Sequence, residues 1–360
     1  MSHEITVRAS GFAEFAYLGE SAWHGLGQSI TEFLAAKGRT VDTATEQDWF
    51  EAAGMDYKLL RSKVRYFADA AGAVQLEIPD QHVLMRSDNK KPMGIVSAKY
   101  KTVQPAQLVG FFRNLVADLG FKLETMGTLF DGKKYWCLAK VGQAFTFKSG
   151  DRIEGYLLVA TSCDGSSKTT ARFVLTRVVC NNTLSAAMSE GSKHVVNLSH
   201  RSSFDAAKIQ AELGIPQVQA IGEAMESLTQ VKLSDSKAED FVRGLLRPAE
   251  AKTAEAVAAE AAADFARLMG KPYTPGIMAS DTATRAPKGE AEILRLFRGG
   301  AIGSDIAGVR GTAWGMLNAV TEYVDHRAST KTDSHRMNSA WFNGGDEMKT
   351  SAFEQLLAMR

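Results

Sequence analysis

Arg172, Arg177 and the run Cys180-Asn181-Asn182-Thr183 are the residues whose types and spacing point most directly to chemistry. They close an apolar, strand-like run that leads into a polar junction. Asn182 or Thr183 fits the cap of a following helix, and the N–H groups at a helix start attract anions. Arginine adds a two-pronged donor suited to phosphate. The expected chemistry is anion binding, with Arg172, Arg177, Asn181 and Asn182 as phosphate contacts. Two plainer readings compete with it. Strand alternation sets Phe173, Leu175 and Arg177 on one face and Arg172, Val174, Thr176 and Val178 on the other, so the arginines need not converge. The asparagines serve equally as simple caps. Cys180 stands where a helix start favours thiolate, yet no histidine base lies near it in sequence, and buried cysteine ordinarily behaves as a small apolar residue.

A second set mixes cations with rings. Lys58, Arg61, Lys63 and Arg65 precede Tyr66 and Phe67; Lys99 and Lys101 flank Tyr100; Lys133 and Lys134 precede Tyr135 and Trp136. Basic grooves with exposed rings hold single strands, the cations on phosphates and the rings stacked on bases. Lys99, Lys101, Lys133 and Lys134 are therefore expected on phosphates, with Tyr100 or Trp136 stacking. The competing reading is a sheet with solvated lysines outside and its rings packed inside. Net charge is only +1, but its distribution is uneven: residues 1–57 carry three basic and nine acidic groups, and residues 58–101 carry nine and four. A basic middle between acidic flanks suggests a local electropositive surface.

Other chemistries lack their residues. Gly25-Leu26-Gly27 has neither the third glycine nor the setting of a dinucleotide loop, and Asp164-Gly165-Ser166-Ser167-Lys168 lacks phosphate-loop spacing. The histidines form no metal-ligand pattern; Asp325-His326 with His335 lacks a fourth ligand. No cofactor and no metal are expected. Cys137, Cys163 and Cys180 make no disulfide framework and read as reduced thiols of a cytoplasmic protein. The first residues lack a signal-peptide core, and no stretch has the roughly 20 apolar residues that span a bilayer. No membrane partner is expected, and no catalytic residue is assigned.

The elements that must position these groups follow from periodicity. Thr43 and Glu46 stand at capping-box spacing before a short helix that Gly54 ends. Tyr57–Phe67, His82–Arg86 and Gly94–Val103 read as strands, and Gln104–Gly120 as an amphipathic helix carrying Leu108, Phe111, Phe112, Leu115, Val116 and Leu119. Phe121–Val141 reads as a hairpin turning at Asp131-Gly132, and Ile153–Ser162 with Thr170–Val179 as another turning at 164–167. The fold class is α+β, a mainly antiparallel sheet packed with helices and followed by a helical C-terminal region. The divisions are a core domain over 1–204, a helical segment over 205–270, a loop over 271–289 and C-terminal helices over 290–360. The last part contains Gly311–Asp325, with Trp314, Leu317, Val320 and Val324 on one face.

Trp23-His24-Gly25-Leu26-Gly27, VSAKYKTVQPAQLVGFF (96–112), ETMGTLFDGKKYW (124–136), EGYLLVATSCDGSSKTTARFVLTRVVCNNTLSAAM (154–188) and GTAWGMLNAVTEYVDH (311–326) occur in this order. Together they resemble the phage/plasmid-like family DUF932, with RVVCNNTL (177–184) the most specific block. The resemblance implies a mobile-element setting and brings no catalytic residues with it. The expected function is non-enzymatic nucleic-acid binding, with single-stranded DNA as partner, as in a strand-binding or annealing recombination factor. The layout of hairpins on a helix is similar to that of strand-annealing proteins, which implies a homo-oligomer. Two alternatives remain: a counter-defence or regulatory protein that binds a host or phage protein, and a nucleic-acid-processing enzyme whose site assembles only in the fold.

Overall fold

The computed structural model describes residues 14–18, 27–69, 72, 74–110, 120–177, 179, 182–185, 195–198, 218–246 and 288–360. The chain enters through β1 (Phe15–Tyr17), β2 (Gln28–Ser29), α1 (Ile30–Ala35) and α2 (Glu46–Ala53). Ser29 caps α1, its hydroxyl accepting from the Glu32 amide. The capping pair of α2 lies two residues beyond the Thr43–Glu46 pair read from sequence. Thr45 is the cap, with Asp48 Oδ2 accepting from the Thr45 amide at 2.9 Å and the Asp48 amide donating back to Thr45 Oγ1 at 3.3 Å. Thr43 instead closes a preceding turn of 3-10 helix over Val41–Thr43, accepting from the Thr40 amide. Gly54 ends α2 in the left-handed region, as its position in the sequence predicts.

Three strands then form a small sheet in the order β3 (Leu59–Phe67), β4 (Gln75–Arg86), β5 (Pro92–Ser97). The sequence-read helix is present over 105–110, where Leu108 and Val109 are buried; its remainder over 111–119 lies outside the described residues. The large sheet follows, built from β6 (Lys122–Leu129), β7 (Lys134–Thr146), β8 (Arg152–Ser162), β9 (Thr169–Arg177), β10 (Asn182–Ser185) and β11 (Val195–Leu198). Its order is β10-β9-β8-β7-β6-β1-β2, with β11 sharing the β9 edge. Every pairing is antiparallel except β1 with β2. Both hairpins turn where the sequence predicts; Asp131 and Gly132 supply the positive φ values, 58° and 91°, that such a tight reversal demands.

The junction after Arg177 is a correction. No helix starts there: Asn182–Ser185 returns as an edge strand on β9, with Asn182 opposite Arg177 and Leu184 opposite Leu175. Pairing to an open sheet edge satisfies the backbone, and burying Leu184 outweighs a local capping preference.

Helices cover both faces of this sheet. They are α3 (Val218–Ser227), α4 (Asp235–Leu246), a helical stretch at 288–295 that runs into a π turn, α5 (Ala313–Glu322), α6 (Asp333–Phe342) and α7 (Gly344–Leu357). Within the expected helical segment, 218–246 is described and is helical apart from a turn between α3 and α4. Of the expected loop over 271–289, only the last two residues are described, and they are helical. One hydrophobic cluster joins Tyr135, Cys137, Leu157, Phe173 and Leu175 of the sheet to Trp49, Phe50, Val218, Phe241, Trp314 and Leu317. A second, on the opposite face, joins Trp136, Leu138, Leu158 and Val174 to Met337, Ala340 and Trp341. The C-terminal helices therefore share their core with the sheet.

Candidate nucleic-acid interface

Alternation along β3 divides its residues between two faces, and the register carries that division across the small sheet. Arg61 faces Leu84, Lys63 faces His82 and Arg65 faces Glu77; these sets hold the ionisable side chains. Leu60 faces Met85, Ser62 faces Val83 and, through it, Ile95, and Tyr66 faces Leu76; these sets hold no charged side chain. At the inner end Leu59, Leu84 and Val96 are buried in the main core. Farther out Val64 alone is buried. Lys63, Arg65 and Glu77 are exposed, Tyr66 is 46% exposed and Phe67 64%. The sheet is an arm anchored at one end.

Its cations are clustered. Glu77 accepts from Lys63 Nζ at 2.7 Å and from Arg65 Nη2 at 3.0 Å, and the Lys63 hydrogen bond, the largest influence, holds the Glu77 carboxyl below its ordinary range. One carboxylate thus serves two cations and leaves a positive surplus. Arg61 Nη2 donates to the Tyr100 carbonyl and to Thr102 Oγ1, drawing the segment that carries Lys99 and Lys101 beside β3. Lys91 Nζ reaches Asp131 Oδ2 at 3.2 Å, which ties the β4–β5 turn to the turn holding Lys133. Phe67 shares the cation face of β3, because it alternates in step with Lys63 and Arg65.

The residues singled out from sequence separate into three groups. Lys99 and Lys101 are exposed and Lys133 half-exposed, all at or near the arm. Tyr100 adjoins them, but its ring packs on the core and its hydroxyl donates to the Ser162 carbonyl at 3.0 Å, so burial raises its pKa and the ring is held. Lys134, Trp136 and Arg172 lie under α6 and α7. Lys134 Nζ donates to Asn338 Oδ1 at 2.7 Å and sits 4.3 Å from the Phe342 ring centroid; burial, opposed by the Asp164 charge, pushes its amine down to about 8. Trp136 is 1% exposed and meets Trp341 edge-on at 5.1 Å, so no base can stack on it. Arg172 Nη1 donates to Asp346 Oδ2 at 2.6 Å.

Arg177 is on the other face, as alternation requires. Its Nε donates to both Asp151 oxygens, at 3.0 and 2.8 Å, and its Nη1 and Nη2 donate to the carbonyls of Ile302 and Gly303. Trp314 Nε1 donates to Asp151 Oδ2 at 2.9 Å. The fork expected on phosphate is occupied by a carboxylate and two carbonyls. Asn182 lies in β10 and Asn181 lies outside the described residues, as does Cys180. Cys137 and Cys163 are buried free thiols, and burial pushes Cys163 up to about 12, away from nucleophilic use. Phe67, named beside these cations from the sequence, was not among the rings expected to stack. Its signal was the strict alternation of charged and uncharged residues from Arg61 to Arg65, which fixes which ring accompanies the cations.

Among the described residues no cluster of three His, Cys, Asp or Glu side chains is arranged to hold a metal ion, and no helix is long and apolar enough to cross a membrane. A family model described as a domain of unknown function, DUF932, matches residues 92–341. That span takes in β5, strands β6 to β11 of the large sheet and the helices from residue 105 through most of α6, and leaves β1 to β4, α1 and α2 outside it. No curated protein matches the chain, and no solved structure does.

Proposed function

We propose that this chain, which belongs to the DUF932 family, binds single-stranded nucleic acid along the cation face of the β3–β5 arm. The observation that carries this reading is Phe67, 64% exposed on the same strand face as Lys63 and Arg65. A ring left in water beside two exposed cations that share one carboxylate is close to the pairing that single-strand binders use, cations tracking phosphate and rings stacking on bases. Arg61, Lys99 and Lys101 extend the positive track toward the body of the protein. A duplex hides its base faces, so the reading favours single strands over double. Strand annealing in recombination is the activity proposed for such a surface, and no catalytic step is required of it.

Fluorescence anisotropy with labelled single- and double-stranded oligonucleotides tests the reading. With about four phosphate contacts, log K against log salt should fall with a slope near −3, from roughly −0.7 per contact on single strands. Phe67→Ala should weaken single-strand binding roughly 5- to 150-fold, the equivalent of about 1–3 kcal/mol per stacked base. Lys63→Glu with Arg65→Glu should flatten the salt slope. Absence of binding, or binding indifferent to salt and to these substitutions, overturns the proposal.

A further inference from the structure

The arm has a second face, turned away from its cations. Register puts Leu60, Tyr66, Leu76 and Ile95 on it, and Val74 and Ile78 fall in step with Leu76 along β4. These are six of the eleven large apolar side chains that stand exposed among the described residues. None of the residues paired across this face is charged. Together the six expose roughly 500 Å² in each copy of the chain, at the upper end of what a monomer leaves in water.

Area and charge both bear on what covers the face. Two such faces laid on one another remove roughly 1,000 Å² from water, which is where specific interfaces begin. Sheets stack in this way about 10 Å apart with their strands nearly aligned. An interface core without charge is the kind that copies of one chain form, because homodimer interfaces are the more apolar class. The charges stand at the rim. Lys58 and Lys90 are exposed at the inner end, where Asp88 and Lys91 are taken by Arg86 and Asp131. Asp80 stands at the bulge of β4 and Asp69 at the outer turn, its Oδ1 accepting from the Val74 amide at 2.9 Å. A two-fold axis lying between the faces and across the strands sets the two arms antiparallel. It brings the lysine end of each copy toward the acidic end of the other, uses one face per copy and closes at two.

We propose that the uncharged face of the β3–β5 arm is a homodimer interface whose occupant is a second copy of this chain. The dimer buries Leu60, Tyr66, Leu76 and Ile95 and leaves Lys63, Arg65 and Phe67 of each copy turned outward. It stands whether or not those outward residues bind nucleic acid.

Sedimentation velocity of the full chain across the micromolar range should show monomer passing to dimer, the affinity expected of an interface at the small end of the scale. Leu76→Lys and Ile95→Lys each place two like charges in the symmetric interface and should raise the dissociation constant at least roughly 100-fold. Phe67→Ala, on the other face, should leave it unchanged. Hydroxyl-radical labelling of the unaltered chain gives a second reading: Tyr66 and Met85 should lose reactivity as the dimer forms, while Phe67 keeps it. A chain that stays monomeric across that range, a dimer indifferent to both lysines, or protection of Phe67 without Tyr66 overturns the proposal. Tyr66 protected in a monomer would mean that the face is covered from within the chain, which overturns it too. If the lysine variants do not fold, the labelling decides alone.

Discussion

Lys134 is a cation held where a cation is disfavoured, and the cost is visible as a pH dependence. Its amine titrates near 8 in the folded chain against an ordinary 10.5, because burial disfavours the charged form. Below about pH 8 the amine is charged in both states and the burial penalty is fully present. Between about 8 and 10.5 the folded protein releases the proton that the unfolded chain still holds, so stability rises with pH, by on the order of 3 kcal/mol in all. Urea unfolding should show this rise, and Lys134→Met should remove most of it. A variant that keeps the full slope would assign the titration to another group. At this scale the sequence was readable only in part. The opposite facing of Arg172 and Arg177 follows from alternation, whereas their partners do not: Asp151 lies 26 residues from Arg177 and Asp346 lies 174 from Arg172. Spacing on one strand cannot name a carboxylate delivered by another element.

Elements were most legible where local chemistry and tertiary packing agree. The Asp131-Gly132 reversal and the Gly54 terminator are fixed by backbone conformations that few residues adopt, so they stand where they were read. The cap of α2 was misread because Thr40, Thr43 and Thr45 all offer a hydroxyl at suitable spacing, and two of them are used in an additional 3-10 turn. The cap assignment has a consequence that denaturant titration can read. Thr45→Ala should destabilise the protein by about 1 kcal/mol, the usual cost of losing such a cap. No measurable loss would mean that the Asp48 carboxylate, also held by Arg39 at 2.7 Å, fixes the helix start by itself. The RVVCNNT junction failed for the opposite reason. Its local signals favour a helix cap, but the open edge of β9 offers hydrogen bonds and a buried place for Leu184, neither of which is written within those residues.

Across the whole molecule the sheet and the C-terminal helices are held together by more than apolar contact. Arg177 joins β9 to Asp151 and to the backbone of Ile302 and Gly303, while Trp314 of α5 completes the Asp151 shell. Gly303 has φ of 69°, and a Cβ there would lie 2.9 Å from Arg177 Nη2, so the loop and the guanidinium are fitted to each other. Arg177→Met leaves a buried carboxylate without its cation and should cost about 3–5 kcal/mol in chemical denaturation. A loss under about 1 kcal/mol would show that the C-terminal helices dock through their apolar faces alone. The α+β class and the C-terminal helices were legible from composition and periodicity; the shared core was not, because which helix covers which face is decided by the chain's long returns. The arm has a last consequence for crowding. Its Leu60–Met85 and Ser62–Val83–Ile95 face offers water an uncharged surface, with Ile95 60% exposed. Such surfaces invite aggregation through strand pairing at their edges. Here β5 opens with Pro92, and the β3 edge alternates Arg61, Lys63 and Arg65. Two copies that met edge to edge along β3 would oppose like charges, so the arm can display a sticky face at high concentration without growing into fibres.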